Sequence, residues 1–193
     1  MLTEAPDRDI ISRQQFNLDY LTQMTLDTID YKLLDLLQHN ARATQLEMAA
    51  AVGLSQPAVA ERMRKLEQES IITGYTARVD GRKLGKDIIA FIGVRIEHPK
   101  YNEGFARRIL ALPDVLECHR ITGPDSYLLK VVTEDTHSLD RLISDLLRHI
   151  PGVTRTLTTV VTSSIKEGSH ITPASPEPFA AQRRKGAARR KRS

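Results

Sequence analysis

Between Ser55 and Gln68 the apolar and polar side chains separate onto two sides of one helical pattern. With Val59 at zero on a wheel of about 100° per residue, Met63 and Leu66 fall within about 40° of it, whereas Pro57, Ala60, Glu61, Arg64 and Gln68 cluster opposite. A guanidinium can pair with a guanine edge in bidentate fashion, and the first residues of such a helix enter a duplex groove first. Arg64, with Ser55 and Gln56 near the helix start and Pro57 and Ala60 on the outward face, is therefore suited to reading DNA. Lys65 lies between the two faces, where phosphate contact is the natural role. Arg62 leans toward the apolar edge, so an ion pair inside the protein suits it at least as well as DNA. A capped surface helix with solvated charges would show the same pattern, and the elements around it have to decide.

Those elements are legible. Asp27 can cap a helix with Asp30 at its third position, and Ile29, Leu33, Leu36 and Leu37 supply an apolar stripe ending near His39. Thr44-Gln45-Leu46-Glu47 is a capping box that opens a second helix, expected to bury Leu46, Ala49 and Ala50 before Gly53 stops it. Ser55 caps the third helix, and Pro57 is tolerated because first-turn amides have no intrahelical acceptor. A helix, Gly53-Leu54-Ser55 and a capped helix is the spacing of a helix-turn-helix, with Ala49 small enough for the helices to cross.

After Leu66 the stretch from Ile71 to Val79 reads as a turn and a strand, and Asp80-Gly81-Arg82 as a turn into a second domain. That half contains a repeat. Ile88 to Glu97, Tyr101 to Leu112 and the strand opened by Pro113-Asp114-Val115 recur 38 residues later as Tyr127 to Glu134, Thr136 to Ile150 and Pro151-Gly152-Val153. A doubled βαβ of this size predicts the ferredoxin-like βαββαβ arrangement, an antiparallel sheet with both helices on one face. The other face is left apolar, so a dimer with facing sheets is expected. The fold class is α+β: an N-terminal helix-turn-helix domain over 25–82 including its linker strand, then a ferredoxin-like domain over 83–166. Residues 1–24 read as a loose arm or short helix, and 167–193, proline-rich and then basic, as a disordered tail.

Composition narrows the function classes. Hydrophobic residues are 40% and charged residues 27%, which disfavours both global disorder and a membrane protein. No apolar run reaches a membrane span and the first residues lack a signal-peptide profile, so a cytoplasmic protein is expected. Net charge is +4, yet residues 182–193 hold seven Lys and Arg, and without them 21 basic residues face 24 acidic ones. An acidic body with a basic tail points to a polyanionic partner for the tail.

Other chemistry finds little support. The histidines at 39, 98, 119, 137, 149 and 170 show no i, i+4 pair, and Cys118 and His119 on a strand point to opposite faces. Neither a metal site nor a Cys-His nucleophile is expected. There is no phosphate-cradling glycine loop, paired catalytic acids or nucleophile elbow, so no enzyme and no cofactor is expected.

Leu26-Asp27 with Asp30, Asn40-Ala41-Arg42, Leu46 with Ala49, Gly53-Leu54-Ser55, Arg62 with Leu66-Glu67, Ile72 with Gly74-Tyr75, and Leu84-Gly85 together resemble the leucine-responsive and asparagine regulator (Lrp/AsnC) family. The likeness continues through Pro113 to Cys118, Thr122-Gly123, Tyr127 to Val131 and Pro151 to Thr156, spanning about Leu26 to Lys166. It implies a transcription regulator that binds double-stranded DNA, dimers assembling to octamers or similar discs, and a small-molecule effector of amino-acid type. By the same resemblance the effector would sit near the Gly123 to Tyr127 loop and the start of the last strand, which makes Gly123, Ser126, Tyr127, Thr156 and Thr158 the candidates. Two departures stand out. Ser70 replaces a common glycine after the third helix, and the loop reads Gly123-Pro124-Asp125-Ser126-Tyr127, with serine where the family usually has its acid and Asp125 one place earlier.

An RNA-recognition module shares βαββαβ, but the third strand, Tyr127-Leu128-Leu129-Lys130-Val131-Val132, lacks the aromatic platform on which such modules stack bases. A regulatory module of an enzyme would need a catalytic domain, which is not seen. A DNA-binding half joined to a sensing half argues against both.

Overall fold

Three N-terminal helices are set by the caps that begin them. In the computed structural model, which describes residues 26–172, α1 spans Thr28–His39, α2 Gln45–Val52 and α3 Gln56–Gln68. Asp27 Oδ1 accepts from the amides of Ile29 and Asp30 at 2.8 and 2.9 Å, and Asp30 Oδ2 accepts from the Asp27 amide at 3.0 Å. Thr44 and Glu47 close the same reciprocal box on α2. Gly53 ends α2 at φ +72°, a left-handed conformation that glycine adopts without a Cβ penalty, and Ser55 Oγ accepts from the Ala58 amide to start α3.

Leu33, Leu37, Met48, Ala49, Val59, Met63 and Leu66 form the core of this unit. The reading of α2 needs correction here. Leu46 is 64% exposed and Ala50 is also exposed, whereas Met48 is buried. Two residues are about 200° of helix rotation, so once Met48 and Ala49 face the core both Leu46 and Ala50 turn away from Met48's side. After α3 the Leu66 carbonyl accepts from the amides of both Ile71 and Ile72, and Ser70 takes φ +54°. The expected strand over 71–79 forms no ladder; the segment pairs with no strand among the described residues. Extended backbone becomes sheet only beside a partner strand.

The chain divides into two units. One is Val79–Lys166, and the other joins the three helices to residues 167–172. That return differs from the reading of 167 onward as tail: Ile171 and Gln38 exchange hydrogen bonds, main-chain N to Oε1 at 2.7 Å and Nε2 to main-chain O at 3.0 Å. Short polar segments dock where their backbone groups find partners, and composition alone does not reveal those partners. The arm at 1–24 and the basic run at 182–193 lie outside the described residues.

The second unit is the expected ferredoxin-like fold. Its strands are β1 (Ile88–Ile96), β2 (Val115–Arg120), β3 (Tyr127–Thr133) and β4 (Val153–Val160), in the antiparallel order β2-β3-β1-β4. Helix α4 spans Asn102–Leu110; α5 begins as an α-helix over Thr136–Arg141 and widens to a π-helix over Leu142–Leu147. Ala90, Ile92, Val94, Leu129 and Val131 pack beneath Phe105, Ile109, Leu139, Leu142 and Leu147. On the other face Phe91, Leu116 and Leu157 are exposed. Among the described residues no helix is long and apolar enough to cross a membrane.

Candidate nucleic-acid interface and ligand-binding face

Helix α3 presents its polar side outward because Val59, Met63 and Leu66 hold the opposite side in the core. Ser55, Gln56, Pro57, Arg64 and Lys65 are exposed, and Ala60 is half-buried. The surface is thus a run of small and uncharged groups at the N-terminal end, where a duplex groove would be entered, followed by cations one turn further on. Arg64 is engaged already: its Nε donates to Glu61 Oε2 at 2.9 Å and its Nη2 to Glu61 Oε1 at 2.6 Å. Lys65 Nζ lies 3.9 Å from the same carboxylate. Arg64 holds the Glu61 carboxyl below its ordinary range and is itself raised by it. Sequence reasoning placed Glu61 on this face without giving it a role, although a Glu three residues before an Arg is the spacing that pairs on a helix.

Arg62 has the other fate open to it. Its Nη1 lies 2.6 Å from Asp30 Oδ1 and 2.8 Å from Asp27 Oδ2, so the residue beside the recognition surface is tied to the first turn of α1. Below α3, the Tyr75 hydroxyl donates to Glu67 Oε1 at 2.8 Å, and burial together with that carboxylate pushes the phenol up to about 12.

The loop between β2 and β3 separates the residues expected to line an effector site. Tyr127 is buried against Phe105, with ring centroids 4.7 Å apart, and lies opposite Val94, which lies opposite Thr156 on its other side; Thr158 is opposite Ile92. Directly paired residues share a face, so Tyr127, Thr156 and Thr158 belong to the helix-covered side. The candidates thus divide between two sides: the period of two along a strand sends Tyr127 inward while the loop before it stays outside. Gly123 is exposed at φ +129°, and Ser126 Oγ accepts from the Ile96 amide at 3.0 Å.

Asp125 takes the prominent position instead. Its Oδ1 accepts from Arg155 Nη2 at 2.7 Å while its side chain is only 11% exposed, and its Oδ2 lies over Gly93, where an added Cβ would collide with it. Arg95, opposite Arg155 in the sheet, donates from Nη1 to the Pro124 carbonyl at 3.4 Å. A carboxylate and two guanidiniums therefore meet at one end of the uncovered face. The displaced acid of the loop was the available signal; its partner on β4 was not, because a separation of 30 residues carries no periodicity. Cys118 packs on the helix side, where burial pushes its thiol up to about 11, and His119 is exposed beside Glu117.

The AsnC-type helix-turn-helix domain profile matches residues 26–67, and the Lrp/AsnC ligand binding domain profile matches residues 89–171. An uncharacterized helix-turn-helix-type transcriptional regulator of Bacillus subtilis is 43% identical over 139 residues, covering 72% of this chain and 96% of that protein. The leucine-responsive regulatory protein of Escherichia coli is 32% identical over 148 residues, covering 76% and 90%. Among solved structures, a transcriptional regulator of Neisseria meningitidis in complex with L-Met superimposes with a TM-score of 0.73 at 31% identity, covering 76% of this chain and 96% of its own.

Proposed function

The chain belongs to the Lrp/AsnC family of transcriptional regulators, and from that premise we propose that it reads duplex DNA with α3 and answers to an amino acid at its sheet domain. The observation that carries the first half is the outward face of α3. Ser55, Gln56, Pro57 and Ala60 approach the groove, Arg64 contacts a base edge and Lys65 a phosphate, while Arg62 holds the helix to α1. Residues 25–82 serve as the DNA-binding part and 83–166 as the sensing and assembly part, and the run at 182–193 adds phosphate affinity without sequence preference.

The second half rests on charge complementarity. An α-amino acid offers one ammonium and one carboxylate, and Asp125 and Arg155 offer the counterpart of each. Gly123 gives the loop its left-handed turn, Ser126 fixes it to β1, and Tyr127, Thr156 and Thr158 hold the strands beneath. The relative with bound L-Met supports this ligand class. Copies assemble as dimers through the uncovered sheet face, and dimers into octamers or similar discs, in the cytoplasm. Selection of bound duplexes from a random pool, with and without an amino-acid mixture, tests both halves. A recurrent motif with symmetric half-sites whose enrichment changes with the mixture supports the reading; no enrichment rejects the first half, and indifference to the mixture rejects the second.

A further inference from the structure

Three metal-binding side chains meet on the DNA-binding unit from two distant parts of the chain. Asp35 and His39 stand one turn apart on α1, and His170 arrives from the segment after Glu167. His170 Nε2 lies 3.1 Å from Asp35 Oδ1, His39 Nδ1 lies 3.7 Å from Asp35 Oδ2, and the two imidazoles meet edge to face at 4.4 Å. One nitrogen of each ring and one carboxylate oxygen all fall within 4.8 Å of one another. The segment carrying His170 is held there by other means, through the Gln38–Ile171 exchange and through Arg78 Nη2 donating to the Glu167 carbonyl at 3.0 Å. The histidine is thereby delivered beside Asp35 and His39 before any ion is considered. A search for histidines at i and i+4 misses the group, because 131 residues separate the two.

We propose that Asp35, His39 and His170 bind a divalent transition-metal ion of the zinc type, and that the ion pins the segment after Glu167 to α1. Two imidazoles and one carboxylate are a ligand set that zinc accepts, with solvent completing the tetrahedron. Magnesium and calcium prefer all-oxygen sets and fit it poorly. Zinc–ligand bonds of about 2.0 to 2.2 Å place ligand atoms roughly 3.3 to 3.6 Å apart, so the two distances to Asp35, 3.1 and 3.7 Å, already lie near that spacing and the widest, up to 4.8 Å, has to close by about an ångström or a little more. All three side chains are exposed, and His39 Nδ1, which lies 2.9 Å from the Asp35 main-chain carbonyl, would leave that oxygen for the ion. The ion would fasten the chain at His170 to the DNA-binding unit, twelve positions ahead of the start of the basic run at 182–193, so its occupancy would govern how close that run is kept to the duplex.

The test is calorimetric titration of the full-length protein with zinc chloride near neutral pH, alongside His170→Ala, Asp35→Asn and His149→Ala. We expect one zinc per chain, weakened by more than about tenfold in His170→Ala and Asp35→Asn and unchanged in His149→Ala. Histidine ring signals in NMR should show His39 and His170 shifting together on zinc addition, and magnesium should move neither. Zinc binding of equal strength in His170→Ala, or absent from the wild type, would overturn the proposal. If either variant is misfolded by circular dichroism, the wild-type NMR titration decides alone: shifts confined to other histidines reject the site.

Discussion

Arg62 Nη1 sits 2.6 Å from Asp30 Oδ1, joining the middle of α3 to the first turn of α1, with the Asp30 side chain only 10% exposed. That geometry makes Arg62 a structural neighbour of the recognition surface. Arg62→Ala leaves a nearly buried carboxylate without its cation and should cost about 2 to 3 kcal/mol of stability in urea denaturation. The base preference of whatever protein remains folded should be intact. A variant as stable as the wild type, with altered preference, would assign Arg62 to DNA.

Glu61 and Arg64 make the opposite prediction. Arg64→Ala should leave stability unchanged, weaken specific binding by about 1 to 3 kcal/mol and relax one base position. Glu61→Gln removes a negative charge from the DNA-facing surface and loosens its grip on Arg64. It should tighten binding to random duplexes and steepen the slope of log affinity against log salt by about one. A salt titration by fluorescence anisotropy reads both; an unchanged slope would mean that Glu61 stands away from the phosphates.

Ser70 holds φ +54°, where a Cβ crowds the following carbonyl. Ser70→Gly removes that penalty but frees the unfolded chain, so the net gain should be about 0.5 to 1 kcal/mol, visible as a higher melting temperature. A lower one would show that the serine side chain contributes more than its backbone costs.

How much of this was legible in advance follows from range. Asp27, Thr44, Gly53 and Ser55 act within four residues of themselves, and each cap was readable because its rule is local. The βαβ repeat was readable because its period recurs. Leu46 misled because it is apolar in a helix of eight residues, too short for the stripe to define its own face. The inward turn of Tyr127 was not readable, because a resemblance gives a position along a loop and not the side of the sheet to which a side chain turns. The pairs Asp125–Arg155 and Asp35–His170 depend on folding to bring distant segments together, and no spacing rule reaches across 30 or 135 residues.

Leu157 is 57% exposed on the uncovered sheet face, on the strand next to that of exposed Phe91, with Leu116 exposed at the opposite edge of the sheet. If copies bury that face against one another, Leu157→Asp should lower the mass measured by sedimentation at roughly tens of micromolar, since association follows mass action. The fold should persist, because the residue is outside the core of its own chain. A wild type that sediments as a monomer, or a variant of unchanged mass, would place assembly elsewhere.

The central claim is that α3 reads sequence in duplex DNA. It is tested most directly by competition binding at physiological salt between the selected duplex and a scrambled duplex of equal length. The account predicts a preference of at least about a thousandfold, falling by about ten- to a hundredfold in Arg64→Ala. Equal affinity of the wild type for the two duplexes would contradict it.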